Sequence, residues 1–234
     1  MGKSTFNLIF FLLFFCELVV EFFHLDWGIY FIKPAVTIFL IYYFHSQTKD
    51  RATSFSKAIL IGLIASLGGD IFLMFPSFNP NFFLVGLVSF LIAHLFYIRA
   101  YFLNIKSSSF SNSFSLKLMV VNPIVLMSLS MYALMKNHLH EMKIPVIIYM
   151  STITVMGLMA GLRINHTTTS SWKKVLGGAI LFLLSDSIIA INKFVHPFAY
   201  ANIAIMLTYY TAQYYIATGC LDHFQKDVVS NESL

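Results

Sequence analysis

Apolar residues fall in long unbroken blocks along this chain, with no two-residue alternation and few narrow helical stripes. Eight runs can be read: Thr5–Phe23, Trp27–Phe44, Lys57–Phe75, Phe82–Leu103, Leu116–Lys136, Lys143–Leu162, Lys174–Phe194 and Phe198–Cys220. Most are close to the ~20 residues that a helix needs to cross a hydrocarbon core. The breaks carry turn chemistry: Pro76-Ser-Phe-Asn-Pro80, Ser107–Ser113, Asn165–Ser171 and Pro197. The pattern predicts an all-α polytopic membrane protein, a single eight-helix transmembrane domain over residues 1–234 with short loops. The first run has a basic start like a signal peptide. It lacks a small-residue cleavage site and holds Glu17 and Glu21, so it is expected to be a retained helix.

Composition narrows the picture. Of 234 residues, 58% are hydrophobic and 11% charged, and the mean hydropathy is +0.77. A soluble domain carries roughly 25% charged residues, because its surface must face water. Eight spans consume ~160 residues, which leaves no room for a separate soluble catalytic domain. Any chemistry belongs in or beside the membrane. The pI of about 9.1 reflects lysines and arginines in the loops, so a nucleic-acid partner is not expected. Cys16 and Cys220 form no disulfide framework or metal motif.

The basic residues also give an orientation. With the N-terminus inside, eleven face the cytoplasm: Lys3, Lys49, Arg51, Lys57, Arg99, Lys106, Lys117, Arg163, Lys173, Lys174 and Lys226. Only Lys136, Lys143 and Lys193 face the other way, and Lys33 lies within a span. Both termini are therefore expected in the cytoplasm, in a cytoplasmic membrane for a bacterial chain and an endoplasmic-reticulum-type membrane for a eukaryotic one. A weak self-similarity at an offset of 116 residues aligns Gly62 with Gly178 and Asp70 with Asp186, and sets Tyr210 opposite His94. A four-plus-four duplication would leave such a trace.

Ionisable residues inside a bilayer are costly and so invite a functional reading. Here they are Glu17, Glu21, Lys33, Asp70, His94 and Asp186. Counted from the span ends, Glu17, Lys33, Asp70 and Asp186 share one level, about two-thirds of the way to the outer face. His94 lies somewhat nearer the cytoplasm. One interior cavity is the economical explanation, because such groups would find no partners in lipid. Gly62, Ser66, Gly69 and Asp70 give the third helix a small polar face, and Gly86, Phe90, His94, Tyr97 and Tyr101 line one side of the fourth. Ser185, Asp186, Asn192 and Lys193 form a polar stripe on the seventh, and the eighth offers Tyr209, Tyr210 and Gln213.

The plainer readings are structural. Lys33 with one carboxylate makes an ordinary ion pair, Glu17 is read as structural and Glu21 as reaching the interface. Gly157-x-x-x-Gly161 is helix packing. Asp70 and Asp186 are different. Two carboxylates buried together cannot both ionise cheaply, so one holds a proton while the other carries charge. General acid plus general base needs that arrangement. Zinc hydrolases want three good ligands, and only His94 lies well inside a span, so no metal or other cofactor is expected. No nucleophile elbow or phosphate-cradling loop is present.

Ser66-Leu-Gly-Gly-Asp70-Ile-Phe-Leu-Met-Phe75 followed by Gly86-Leu-Val-Ser-Phe-Leu-Ile-Ala-His94-Leu-Phe-Tyr97 resembles the paired motif of the YhhN-like lysoplasmalogenase family. Gly177 to Phe194 is similar to it too, as are Lys33-Pro34 and Thr208-Tyr-Tyr210-Thr-Ala-Gln213. The resemblance implies eight transmembrane helices and hydrolysis of the vinyl-ether bond of lysoplasmalogen. The products would be a fatty aldehyde and glycerophospho-ethanolamine or -choline. It adds a lysophospholipid substrate and membrane lipids as the expected partners. On this reading Asp70 and Asp186 are the catalytic pair, and Lys33 keeps one of them ionised. Ser66, His94, Ser185, Tyr210 and Gln213 support or orient the site, while Asn192 and Lys193 meet the head group. The alternative is a proton-coupled transporter or lipid-binding membrane protein that uses the same carboxylates as a relay.

Overall fold

The computed structural model describes residues 1–75, 79, 81–108 and 114–232, apart from the side chains of 114 and 225–232. These residues form eight α-helices: α1 (Lys3–Phe22), α2 (Asp26–Thr48), α3 (Ser54–Leu73), α4 (Asn81–Ser107), α5 (Phe114–Met135), α6 (Lys143–Leu162), α7 (Thr169–Ala190) and α8 (Ala201–Glu232). No strand occurs among the described residues. The expected turns at 76–78, at Pro80 and over 109–113 lie outside them.

The helix starts follow local chemistry. Thr53 caps α3 by accepting from the Ser56 amide at 3.1 Å, while the Thr53 amide donates to the Ser56 hydroxyl at 2.9 Å. Thr168 caps α7 in the same way, through the Ser171 amide. Single residues with positive φ (His24, His140, Asn165 and Tyr200) reverse the chain between α1 and α2, α5 and α6, α6 and α7, and α7 and α8. Beyond α7 a π-helical turn, Ile191–Val195, widens the backbone.

Helices α1 to α7 are long and apolar enough to cross a membrane. Their outward faces carry exposed apolar side chains such as Phe15, Phe31, Ile64, Leu95, Met119 and Ile144, as suits contact with lipid. The eighth expected span differs. Helix α8 has the length, but Asn202, Gln213 and its tyrosines make it more polar than the others. The reason is its position: Ile205, Tyr209, Tyr210, Gln213, Ile216 and Cys220 are all buried against the other helices.

The two most extensive helix pairs are α3 with α4 and α7 with α8. Small residues permit both. A Cβ at Gly62 would run into the Tyr97 ring, one at Gly69 would meet Phe90, and one at Gly178 would lie 2.8 Å from the Ala212 carbonyl oxygen. Gly157 and Gly161 set α6 against Ile124 and Val120 of α5, the packing role expected of that motif. The 116-residue offset maps one major pair onto the other. At one end of the bundle Asp222 of α8 pairs with Lys174 of α7 at 2.6 Å and with Lys3 of α1 at 3.8 Å.

Candidate active site in the bundle interior

Asp70 sits near the C-terminal end of α3 and is 2% exposed. The Thr37 hydroxyl of α2 donates to its Oδ2 at 2.7 Å, and the Tyr209 hydroxyl of α8 donates to the same oxygen at 2.9 Å. Behind Tyr209, Gln213 Nε2 donates to its hydroxyl at 3.2 Å, and Tyr97 donates to Gln213 Oε1 at 2.9 Å. Ser66 is buried beside Tyr97 on this side. A single polar thread thus joins α2, α3, α4 and α8 at Asp70.

Asp186 of α7 has different company. The Tyr149 hydroxyl of α6 donates to its Oδ2, and His94 Nε2 lies 3.9 Å from that oxygen. His94 is fully buried, edge-on to the rings of Tyr149 and Phe182. Phe90, Phe182 and Tyr209 meet edge to face and fill the space between the surroundings of the two aspartates.

Both carboxylates nevertheless line one small cavity, shared with Lys33, Ser185 and Tyr209. It holds about 20 Å³, room for one water. A second cavity of about 40 Å³ adjoins it, since Phe90, Asp186 and Ile189 line both. Apart from Asp186, Ser187 and Tyr149, its walls are apolar: Phe83, Leu87, Met150, Ile153, Leu183, Ala190 and Phe194 among them. One carboxylate therefore stands between a space for water and a space for hydrocarbon.

Lys33 is surrounded by acids. Its ammonium lies 3.8 Å from Glu21 Oε1, and Asn202 Nδ2 donates to Glu21 Oε2 at 3.3 Å. Glu21 is 3% exposed and turned inward, which corrects the expectation that it reaches the interface. Pairing with Lys33 draws it into the bundle. Glu17 is fully buried, within electrostatic reach of Lys33, Glu21 and Asp70, and neither of its oxygens has a hydrogen-bond partner among the described residues. Among the described residues no three His, Cys, Asp or Glu side chains converge in a way that could hold a metal ion.

The remaining predicted residues divide by position. Ser185 faces the small cavity and donates to the Ile205 carbonyl at 3.2 Å. Tyr210 donates at 2.8 Å to the Lys33 carbonyl, so its hydroxyl braces α2, within electrostatic reach of Asp70. Asn192 and Lys193 lie outside the small cavity, in the π-helical turn. Asn192 accepts from the Phe198 amide at 3.1 Å, and the exposed Lys193 ammonium sits 5.1 Å from the Phe83 ring, beside the apolar cavity. Thr37 and Tyr149 were not singled out by sequence reasoning. Tyr149 is a lone hydroxyl among the apolar buried residues of α6, and Thr37 lies one turn from Lys33 on the buried face of α2; those were the available signals. Tyr209 was noted beside Tyr210, and only the structure distinguishes the one that reaches Asp70.

A profile of the YhhN family matches residues 28–220, a stretch that contains every residue of the small cavity. The chain is 32% identical over 170 residues to human lysoplasmalogenase TMEM86A, covering 70% of this chain and 65% of that protein. It is 30% identical over 169 residues to pig lysoplasmalogenase TMEM86B, covering 72% and 65% respectively. For human lysoplasmalogenase TMEM86B the figures are 31% over 160 residues, 68% and 61%. The matches thus span somewhat less than two-thirds of the length of these curated relatives. No solved structure matches the chain. With its apolar helices and a family match over most of its length, the chain is an integral membrane protein belonging to the YhhN family.

Proposed function

We propose that this protein is a lysoplasmalogenase-type hydrolase that cleaves the vinyl-ether bond of a lysophospholipid by carboxylate acid–base catalysis inside the membrane. The observation that carries the reading is the shared cavity: Asp70 and Asp186, from helices far apart in sequence, border one water-sized space that adjoins an apolar one at Asp186. The relatives' names supply the substrate class.

The surroundings of the carboxylates support a division of roles. Asp70 accepts two hydroxyl donors on one oxygen and lies within electrostatic reach of Lys33, so it is the ionised member. Asp186 has one hydroxyl donor, aromatic neighbours and the apolar cavity, so it carries the proton. In the reaction Asp186 protonates the β-carbon of the vinyl ether, and the ether oxygen shares the resulting positive charge as an oxocarbenium ion. Asp70 takes a proton from water as the water oxygen bonds to the α-carbon. The hemiacetal then breaks its bond to the glycerol oxygen, which leaves with the hydroxyl proton of the hemiacetal as the aldehyde forms. Proton return from Asp70 to Asp186 restores the starting state. The logic is that of glycoside cleavage by a carboxyl pair. On this reading Lys193, exposed beside the apolar cavity, meets the phosphate of the head group.

Purified protein supplied with lysoplasmalogen should release a long-chain aldehyde, and the matching saturated-ether lipid should release none. Well-folded protein that yields no aldehyde would overturn the assignment.

A further inference from the structure

The small and apolar cavities leave open how a chain anchored in the bilayer reaches Asp186. Helices α5 and α6 touch closely where Gly157 faces Ile124 (3.2 Å from a built Cβ) and Gly161 faces Val120. Away from that contact they enclose a groove of about 430 Å³, within the range of small-molecule sites. Leu129, Ile147 and Val155 on its rim are 59%, 39% and 43% exposed, on the side that faces lipid. Two of its hydroxyls pair with each other and the backbone: Thr154 donates to Ser128 Oγ at 2.8 Å, and Ser128 donates to the Ile124 carbonyl at 3.0 Å. Among the described residues no charged side chain lines it. Met150 lines both this groove and the apolar cavity that ends at Asp186, and it follows Tyr149, the donor to that carboxylate. An unbranched, rotatable thioether is the side chain best suited to swing aside without leaving a fixed hole.

From this continuity we infer that the α5–α6 groove is the lateral entry and binding site for the hydrocarbon chain of the lysolipid, with Met150 as the movable partition before Asp186. The inference rests on the proposed hydrolase reading for the identity of the lipid. The groove supplies an apolar path from the bilayer, so the chain need never cross water and the reacting bond arrives where the apolar cavity meets the water space at Asp186.

The test uses the full chain in lipid nanodiscs and a saturated-ether lysophospholipid with a diazirine in its chain, a probe that cannot be hydrolysed. Illumination should label peptides within residues 125–155 and 183–194 in both the wild type and Asp186→Asn. Met150→Trp should cut labelling of 183–194 by at least about fivefold and raise KM for lysoplasmalogen with little change in kcat, the signature of lost uniform binding. Leu129→Trp, on the exposed rim where a larger ring meets no core, should do the same. Ile38→Trp, 51% exposed on the lipid-facing side of α2, should change neither quantity. Labelling confined to other helices, or undiminished by both α5–α6 substitutions, would overturn the route. Correct labelling by a protein that releases no aldehyde would keep the route and remove the hydrolase reading.

Discussion

Asp70 and Asp186 differ in what surrounds them more than in what they are, and their substitutions should differ accordingly. Changing either to Asn should lower kcat by about 10²-fold or more, the usual contribution of a general acid or base. The double variant should fall little further, because the two act as a unit. The sign of each effect on the pH profile follows from the roles. An acid must be protonated, so Asp186 governs the limb where rate falls as pH rises. A base must be ionised, so Asp70 governs the limb where rate falls as pH drops. Residual activity in Asp186→Asn should therefore lose the alkaline limb, and that in Asp70→Asn the acidic one; a swapped pattern would reverse the roles. Glu17→Gln should stay within several-fold of wild type, since Glu17 lines neither cavity. Tyr149→Phe removes the hydroxyl that donates to Asp186 and leaves a buried oxygen short of a partner, at a cost of about 1–3 kcal/mol. It should slow turnover without abolishing it, measured on matched folded protein.

The helices were legible because each apolar run had to be long enough to cross a bilayer and each break had to turn. The site was legible in part. A carboxylate in a span announces itself, so Asp70, Asp186, Lys33 and His94 could be named from the chain. Hydroxyls do not, because a tyrosine on an apolar helix reads equally well as filling; Tyr149 and Thr37 gained meaning only when α6 and α2 were packed against their partners. Charge at Glu21 pointed the wrong way, because the chain alone could not place Lys33 one helix over. Glycines were read more safely. At Gly178 the obstacle to a Cβ is backbone, the Ala212 carbonyl at 2.8 Å and the Ile216 amide nitrogen at 3.1 Å, and backbone cannot rotate away. Gly178→Ala should thus push α7 off α8 and destabilise the protein by about 1–3 kcal/mol, read as a lower midpoint of thermal aggregation in detergent. At Gly177 the nearest atom is 3.7 Å away on the Tyr215 ring, so Gly177→Ala serves as the tolerated control.

Across the whole molecule the distribution of basic residues, eleven against three, sets the expected orientation. Reporters fused after Leu103 and after Lys136 should fall on opposite sides of the membrane, the former in the cytoplasm. Both on one side would remove the eight-span arrangement. The polarity of α8 bears on how that arrangement is made. Presented alone to a translocon, a helix with Asn202, Gln213 and four tyrosines between 209 and 215 would partition poorly into lipid. Its polar side chains find their counterparts on segments synthesised earlier: Tyr214 on Asn7, Tyr210 on the Lys33 carbonyl, Tyr209 on Asp70 and Gln213 on Tyr97. By the time α8 leaves the ribosome these partners are already in the membrane, so its solvent on arrival is protein. Transplanted into a carrier, α8 should fail to insert, and restored behind its own seven helices it should insert fully. The last helix enters the bilayer as a guest of the earlier ones, and its arrival is the step that assembles the Asp70 half of the site.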